Sequence, residues 1–263
     1  MKIGFIGGGN MGGAIIGGIV NNGIAAPSDI IVSDANKTSI EKMQSLYGIE
    51  AAKNNGEAAN SDILFLCVKP NVLYSVIDEI KDIDFDNTVI ISIAAGQSIE
   101  AIENAFGKEI KLIRVMPNTP ALVGEGMSAL SPNKNVTESE LAQAVELFSS
   151  FGKAEVVPEK LMDTVTAVSG SSPAYVFMFI EAMADAAVMG GMPRQQAYTF
   201  AAQSVLGSAK MVLETGKHPG ELKDMVCSPA GTTIEAVAVL EDMGLRAAVI
   251  EAMRSCMEKS KEM

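Results

Sequence analysis

What most limits the fold open to this chain is its first seventeen residues, Met1-Lys2-Ile3-Gly4-Phe5-Ile6-Gly7-Gly8-Gly9-Asn10-Met11-Gly12-Gly13-Ala14-Ile15-Ile16-Gly17. Ile3, Phe5 and Ile6 suit a short buried strand, and an apolar helical run opens at Ala14. Between them Gly7, Gly9 and Gly12 stand in the G-x-G-x-x-G spacing of a strand–turn–helix unit that binds a dinucleotide. The first glycine permits the sharp turn, the second lets the backbone approach a pyrophosphate, and the third lets the helix pack closely on the strand. The free N–H groups of a helix start then favour the phosphates. The spacing alone also describes a plain glycine loop. Its place directly between an apolar strand and an apolar helix is what points to a cofactor.

The next run, Ile30-Ile31-Val32-Ser33, ends in Asp34, where dinucleotide folds hold a ribose hydroxyl with an acid. Asp34 therefore argues for NADH, while Asn36 and Lys37 beyond it can still receive the 2′-phosphate of NADPH. Asp62–Val68, Thr88–Ile93 and Lys111–Met116 read as further strands, the first two nearly all apolar and central. Amphipathic stretches at about 37–46, 71–80 and 98–106 alternate with them, the pattern of a doubly wound α/β sheet. Ligands in such folds lie beyond the carboxyl ends of the strands, which places Lys69-Pro70, Ala94-Ala95-Gly96 and Met116-Pro117-Asn118-Thr119-Pro120 at the site. Met127–Leu130 and Ala154–Val157 read as two more edge strands, flanking a helix from Glu138 to Ser150.

From about Glu159 the chain is rich in Ala and Met and has no strand-like run, so the sequence divides into a Rossmann-type domain at 1–158 and an all-helical domain at 159–263. Ser172-Pro173 reads as the start of a helix, and Ala174–Met192 as a buried one rather than a membrane span, because it holds Glu181 and Asp185. Ala182, Ala186 and Gly190 form a stripe of small residues that admits a second helix closely. Pro193 opens another long helix ending near Thr215-Gly216. Then comes Cys227-Ser228-Pro229-Ala230-Gly231-Thr232-Thr233, a turn before a helix start. Its free amides can hold a carboxylate and its three hydroxyls an imine or amine nitrogen, although a well-capped helix reads the same way.

Net charge decides against several partners. At −12 and a pI near 4.6 the chain repels nucleic acid and anionic membrane surfaces. Three widely spaced cysteines, Cys67, Cys227 and Cys256, suit reduced thiols in the cytoplasm. One histidine and no paired cysteines leave metal catalysis without support.

Taken together, Phe5–Gly12, Val68-Lys69-Pro70, Met116–Pro120, Ser169–Tyr175 and the turn from Ser228 to Thr233 resemble the pyrroline-5-carboxylate reductase family over essentially the whole chain. The resemblance implies hydride transfer from NADPH, or NADH, to the C=N carbon of a cyclic imine carboxylate, giving L-proline. It implies that Thr233 bonds the ring nitrogen and that Ser228 with the backbone of Ala230, Gly231 and Thr232 holds the carboxylate. It further implies a cofactor site made by Gly7, Gly9, Asn10, Met11, Gly12, Asp34, Asn55, Val68, Lys69, Pro70, Ala94 and Asn118. A homodimer or a pentamer of dimers is the assembly it implies. Most relatives carry glycine where this chain has Ala230. A β-hydroxyacid dehydrogenase shares the layout but uses a lysine early in its second domain, and Thr164–Gln203 contains none. A protein that binds dinucleotide without turning it over would need the first half of the chain and not the hydroxyl turn.

Overall fold

Apolar runs become strands and the amphipathic stretches between them helices in the computed structural model, which describes residues 1–262. In order the first half runs β1 (Ile3–Ile6), α1 (Asn10–Asn21), β2 (Ile30–Ser33), α2 (Lys37–Tyr47), β3 (Glu50–Ala51), α3 (Asn55–Ala59), β4 (Ile63–Leu66), α4 (Pro70–Ile80), β5 (Val89–Ser92) and α5 (Ile99–Phe106). It continues through β6 (Lys111–Met116), β7 (Gly126–Pro132), α6 (Glu138–Ser149) and β8 (Gly152–Val156). The rest is helical: α7 (Met162–Val165), α8 (Ser172–Met189), α9 (Arg194–Thr215), α10 (Pro219–Val226), α11 (Thr232–Asp242) and α12 (Leu245–Lys261).

The strands form one eight-stranded sheet in the order β3-β2-β1-β4-β5-β6-β7-β8. It is parallel from β3 through β6. β1 therefore lies between β2 and β4, with Ile3 level with both Ile30 and Ile63, and the chain reverses its direction of travel there. β1, β4 and β5 are buried at every residue, which explains their almost continuous apolar sequence. Side chains alternate about the sheet. Phe5 joins Ile15, Ile16 and Phe148 on one face, stacked on Phe65 with ring centroids 4.5 Å apart. Ile6 joins Leu64, Leu73, Ile77 and Ile102 on the other. Each such side chain contributes about 1.5–3 kcal/mol by burial. α6 opens on a capping box between Thr137 and Glu140.

Only the second of the two late strands is an edge. β7 runs antiparallel to β6 and is covered by β8 on its other side. The two short elements β3 and α3 carry no periodicity of their own and were not legible as elements.

Packing divides the chain into two compact units, one of Met1–Ser171 with the chain's last residues from Cys256, the other of Ser172–Ser255. The composition changes at Glu159, but the residues just beyond it still pack with the sheet. Met162 is buried beside Met116 and Ala129, and the Glu159 carboxylate accepts from the Arg114 guanidinium at 2.9 Å and from the Ile99 amide at 2.7 Å. From Met162 a helical path leads through a π turn at Thr166–Gly170 and a bend at Ser171, so Ser172 is the first residue of α8 rather than the cap before it. Such a one-residue difference is ordinary at helix ends. α9 is capped by Pro193 and closed by Gly216 in the left-handed conformation. His218 caps α10, its Nδ1 accepting from the Gly220 amide at 3.0 Å.

α8 is not the buried helix its composition suggests. Ala184 is its one buried residue, while Phe177 and Met178 are 63 % and 70 % exposed. The unit's core is small: Ala184, Ala197 and Ala201, with Ile180, Met183 and Ala187 packed against them. Ala182, Ala186 and Gly190 stay exposed and take no part in it. By length and composition alone the helical stretch Glu159–Met189 can cross a membrane, with Glu181 and Asp185 inside it.

Candidate active site

The glycine turn at the end of β1 has the conformation its spacing implies. Gly7 has φ +104°, and a Cβ there would lie 2.5 Å from the Cys67 carbonyl oxygen. At Gly12 a Cβ would lie 2.3 Å from the Gly7 carbonyl oxygen, so the helix can approach the turn this closely only as glycine. Gly9 is different: nothing lies within 4 Å of its missing Cβ. The open space over Gly9 is where a diphosphate can approach the backbone. α1 has no side-chain cap, which leaves the first N–H groups of the helix for an anion. These residues fit a dinucleotide.

Beside the turn, at the reversal between β1 and β4, lies a cleft of about 370 Å³. Of the residues the resemblance implies, it gathers Gly7, Gly9, Asp34, Asn55, Val68 and Lys69. Asp34 has a second task. Its Oδ2 accepts from the Gly8 amide at 2.6 Å and its Oδ1 from the Asn36 amide at 2.7 Å, so it braces the glycine turn against the turn after β2. Asn55 opens α3 under the cap made by Asn54. Its Oδ1 accepts from the Ser33 hydroxyl and its Nδ2 donates to Glu79 Oε2, each at 2.7 Å. Cys67 lines the cleft as well, and desolvation pushes its thiol far above the ordinary cysteine range, so it stays an unreactive packing group.

The other implied cofactor residues lie outside this cleft. Asn10 borders a smaller pocket of about 180 Å³ with Gly8, Gly13 and Lys42. Met11 packs against the core, Gly12 is buried behind the turn, Pro70 opens α4, and Ala94 is buried beyond β5. Asn118 is buried and its amide ties the loop after β6 to two other elements, donating to the carbonyl of Ser169 in the π turn at 3.0 Å and accepting from the amide of Met127 in β7 at 2.8 Å. Its placement makes it a brace of the loop after β6. Conversely, Ser33, Val72, Ser75, Val76 and Glu79 line the cleft and were not foreseen. The last four stand at i, i+3, i+4 and i+7, one face of α4, and that spacing was a usable signal.

In the helical unit, the turn between α10 and α11 is tight. The Gly231 amide donates to the Ser228 carbonyl at 3.1 Å, and α11 starts at Thr232 with no side-chain cap. Its first amides are thus available to an anion, with the Ser228, Thr232 and Thr233 hydroxyls about them. A Cβ at Gly231 would lie 2.3 Å from Ser228 Oγ, so the serine hydroxyl leans over the bare Cα. Ala230, φ +55°, is the only non-glycine residue among those described with positive φ. An alanine in this conformation costs about 1–2 kcal/mol, against which glycine loses about 0.4–1 kcal/mol through the unfolded chain. Ala230→Gly is accordingly expected to stabilise the protein by roughly 0.5–1 kcal/mol, read as a higher denaturation midpoint with an unchanged slope. An unchanged or lower midpoint would show that the turn carries no strain.

Comparison with known proteins bears on both halves. A family model described as "Pyrroline-5-carboxylate reductase dimerisation" matches residues 159–263, and one described as "NADP oxidoreductase coenzyme F420-dependent" matches residues 2–96. Over 263 residues the chain is 55 % identical to pyrroline-5-carboxylate reductase of Escherichia coli (strain K12), covering 100 % of this chain and 98 % of that one. It is 49 % identical to that of Methanosarcina acetivorans, covering 100 % and 97 %. Among solved structures, a pyrroline-5-carboxylate reductase from Coxiella burnetii superposes with a TM-score of 0.92 at 35 % identity, covering 99 % of this chain and 97 % of that one. The Plasmodium falciparum pyrroline carboxylate reductase, solved with NADP bound, gives 0.89 at 35 % identity, covering 100 % and 97 %.

Proposed function

Because the chain belongs to the pyrroline-5-carboxylate reductase family, we propose that it reduces 1-pyrroline-5-carboxylate to L-proline with NADPH, or with NADH, as the last step of proline biosynthesis. When bound, the reduced dinucleotide supplies a hydride to the imine carbon C5; the C=N π pair becomes the nitrogen lone pair, and a proton on nitrogen completes the secondary amine. In this reading residues 1–158 hold the dinucleotide and residues 159–263 hold the substrate and form the dimer.

The observation that carries the reading is the turn from Ser228 to Thr233. An uncapped eleven-residue helix start offers N–H donors to a carboxylate, and three hydroxyls beside it offer both donors and acceptors to a ring nitrogen. Thr233 orients and stabilises the nitrogen, while Ser228 and the backbone from Ala230 to Thr232 hold the carboxylate. Cyclic imines protonate far more readily than carbonyls, so the chain's work is positioning rather than strong acid catalysis. On the cofactor side, Gly7, Gly9, Gly12 and the first amides of α1 hold the diphosphate, and Asp34, Asn55 and Lys69 line the cleft.

The exposed apolar side chains of α8 and α9, among them Phe177, Met178, Phe200 and Leu213, support assembly as a homodimer or a pentamer of dimers. Three buried alanines are too small a core for these helices alone. A reduced-thiol chain of this kind suits the cytoplasm. The test is the absorbance of the reduced nicotinamide when the protein meets 1-pyrroline-5-carboxylate with NADPH, then with NADH. Loss of the band matched by proline formation is expected, and the ratio of the two rates reads out what Asp34 does to cofactor choice. Cofactor binding without oxidation would instead favour a protein that binds the dinucleotide and catalyses nothing.

A further inference from the structure

Glu79 lies near the end of α4, on the wall of the dinucleotide cleft. Its Oε2 accepts from Asn55 Nδ2 at 2.7 Å, while Asn55 Oδ1 accepts from the buried Ser33 hydroxyl, also at 2.7 Å. The two bonds hold the Asn55 amide at both ends and fix which end is oxygen and which nitrogen. They leave the second hydrogen on Nδ2 to be aimed at a ligand. Ser33 is the last residue of β2, and in doubly wound sheets the adenosine ribose is read at that strand's carboxyl end. Glu79 thus stands one side chain behind the group that meets the ribose. The cleft is lined by two carboxylates, Asp34 and Glu79, and one ammonium, Lys69. Asp34 is partly neutralised by two backbone N–H donors, whereas Glu79 has the single Asn55 donor and is exposed.

We propose that Glu79 is the positioning residue for Asn55 and a determinant of cofactor choice, its carboxylate opposing a 2′-phosphate while leaving a 2′-hydroxyl untouched. The inference rests on the dinucleotide reading of the cleft and extends it to a residue that reading does not name. Two substitutions separate the two roles. Gln at this position keeps an acceptor for Asn55 and removes the charge; Ala removes both. Because Glu79 is on the surface, neither change threatens the fold, and thermal melts check this.

Binding of NADPH and of NADH is measured by titration calorimetry on the full chain, without substrate. For Glu79→Gln the NADPH Kd should fall about threefold to tenfold, the size expected of one screened charge, with NADH within about twofold of wild type. For Glu79→Ala the NADH Kd should rise by about threefold or more, as loss of one oriented hydrogen bond implies, and Gln should restore it. Equal changes for the two cofactors in Glu79→Gln would overturn the charge role. An unchanged NADH Kd in Glu79→Ala would overturn the positioning role. A wild-type chain that binds neither cofactor would overturn the reading of the cleft itself, which separates that failure from this one.

Discussion

Gly12→Ala is expected to weaken binding of NADPH and NADH alike by about a hundredfold or more while the chain stays folded. The added Cβ would stand 2.3 Å from the Gly7 carbonyl oxygen and 3.4 Å from the Cys67 Cβ. An ordinary contact needs about another ångström, and neither backbone can supply it freely. The Gly7 carbonyl belongs to a turn already at φ +104°, so close to the next strand's end that a Cβ on Gly7 would lie 2.5 Å from the Cys67 carbonyl oxygen. The relief available is for α1 to slide outward, carrying its uncapped first amides away from the diphosphate. Loss of two N–H bonds to a charged diphosphate, about 1.5 kcal/mol or more each, is enough for a hundredfold loss. The cost to folding is that of overpacking, about 1–3 kcal/mol. The chain has no tryptophan, so the fluorescence of the reduced dinucleotide itself, or calorimetry, is the proper readout. Binding within threefold of wild type would mean that the turn does not hold the phosphates.

Thr233→Ala tests the turn of the helical unit. We expect kcat/KM for 1-pyrroline-5-carboxylate to fall roughly 10- to 100-fold, the worth of one hydrogen bond to a group carrying charge, with dinucleotide Kd unchanged. Thr233→Ser should recover most of the activity, because it keeps the hydroxyl and loses a methyl. Gly231→Ala gives an independent check on the same turn. Its methyl would collide with Ser228 Oγ, so the hydroxyl must rotate away and KM should rise more than kcat falls. Wild-type kinetics in Thr233→Ala would remove the proposed nitrogen contact, and wild-type KM in Gly231→Ala would remove Ser228 from the carboxylate site.

Much of this was legible because it is local. The glycine spacing declared the turn, the apolar runs declared β1, β4 and β5, and the helices at 37–46, 71–80 and 98–106 reappear at Lys37–Tyr47, Pro70–Ile80 and Ile99–Phe106. The burial of α8 was not legible. α8 was read as buried from its composition, yet an apolar helix says only that something must cover it. In this chain the cover is a few alanines, and Phe177 and Met178 face outward. Asn118, conspicuous in a proline-flanked loop, is assigned to the cofactor from the sequence, and in the structure its side chain also bridges Ser169 and Met127.

By itself the sequence determined the doubly wound sheet, the change to helices near Glu159, the glycine turn and the hydroxyl turn. Each is encoded in periodicity or in residues whose backbone preferences act within a few positions. Only the tertiary structure decided the antiparallel placement of β7, the left-handed conformation of Ala230, the bracing of two turns by Asp34, and the chain from Ser33 through Asn55 to Glu79. The physical reason is distance along the chain. Asn55 is separated from its two partners by 22 and 24 residues, and no local propensity reports a hydrogen bond that exists only once β2, α3 and α4 have packed about the same sheet.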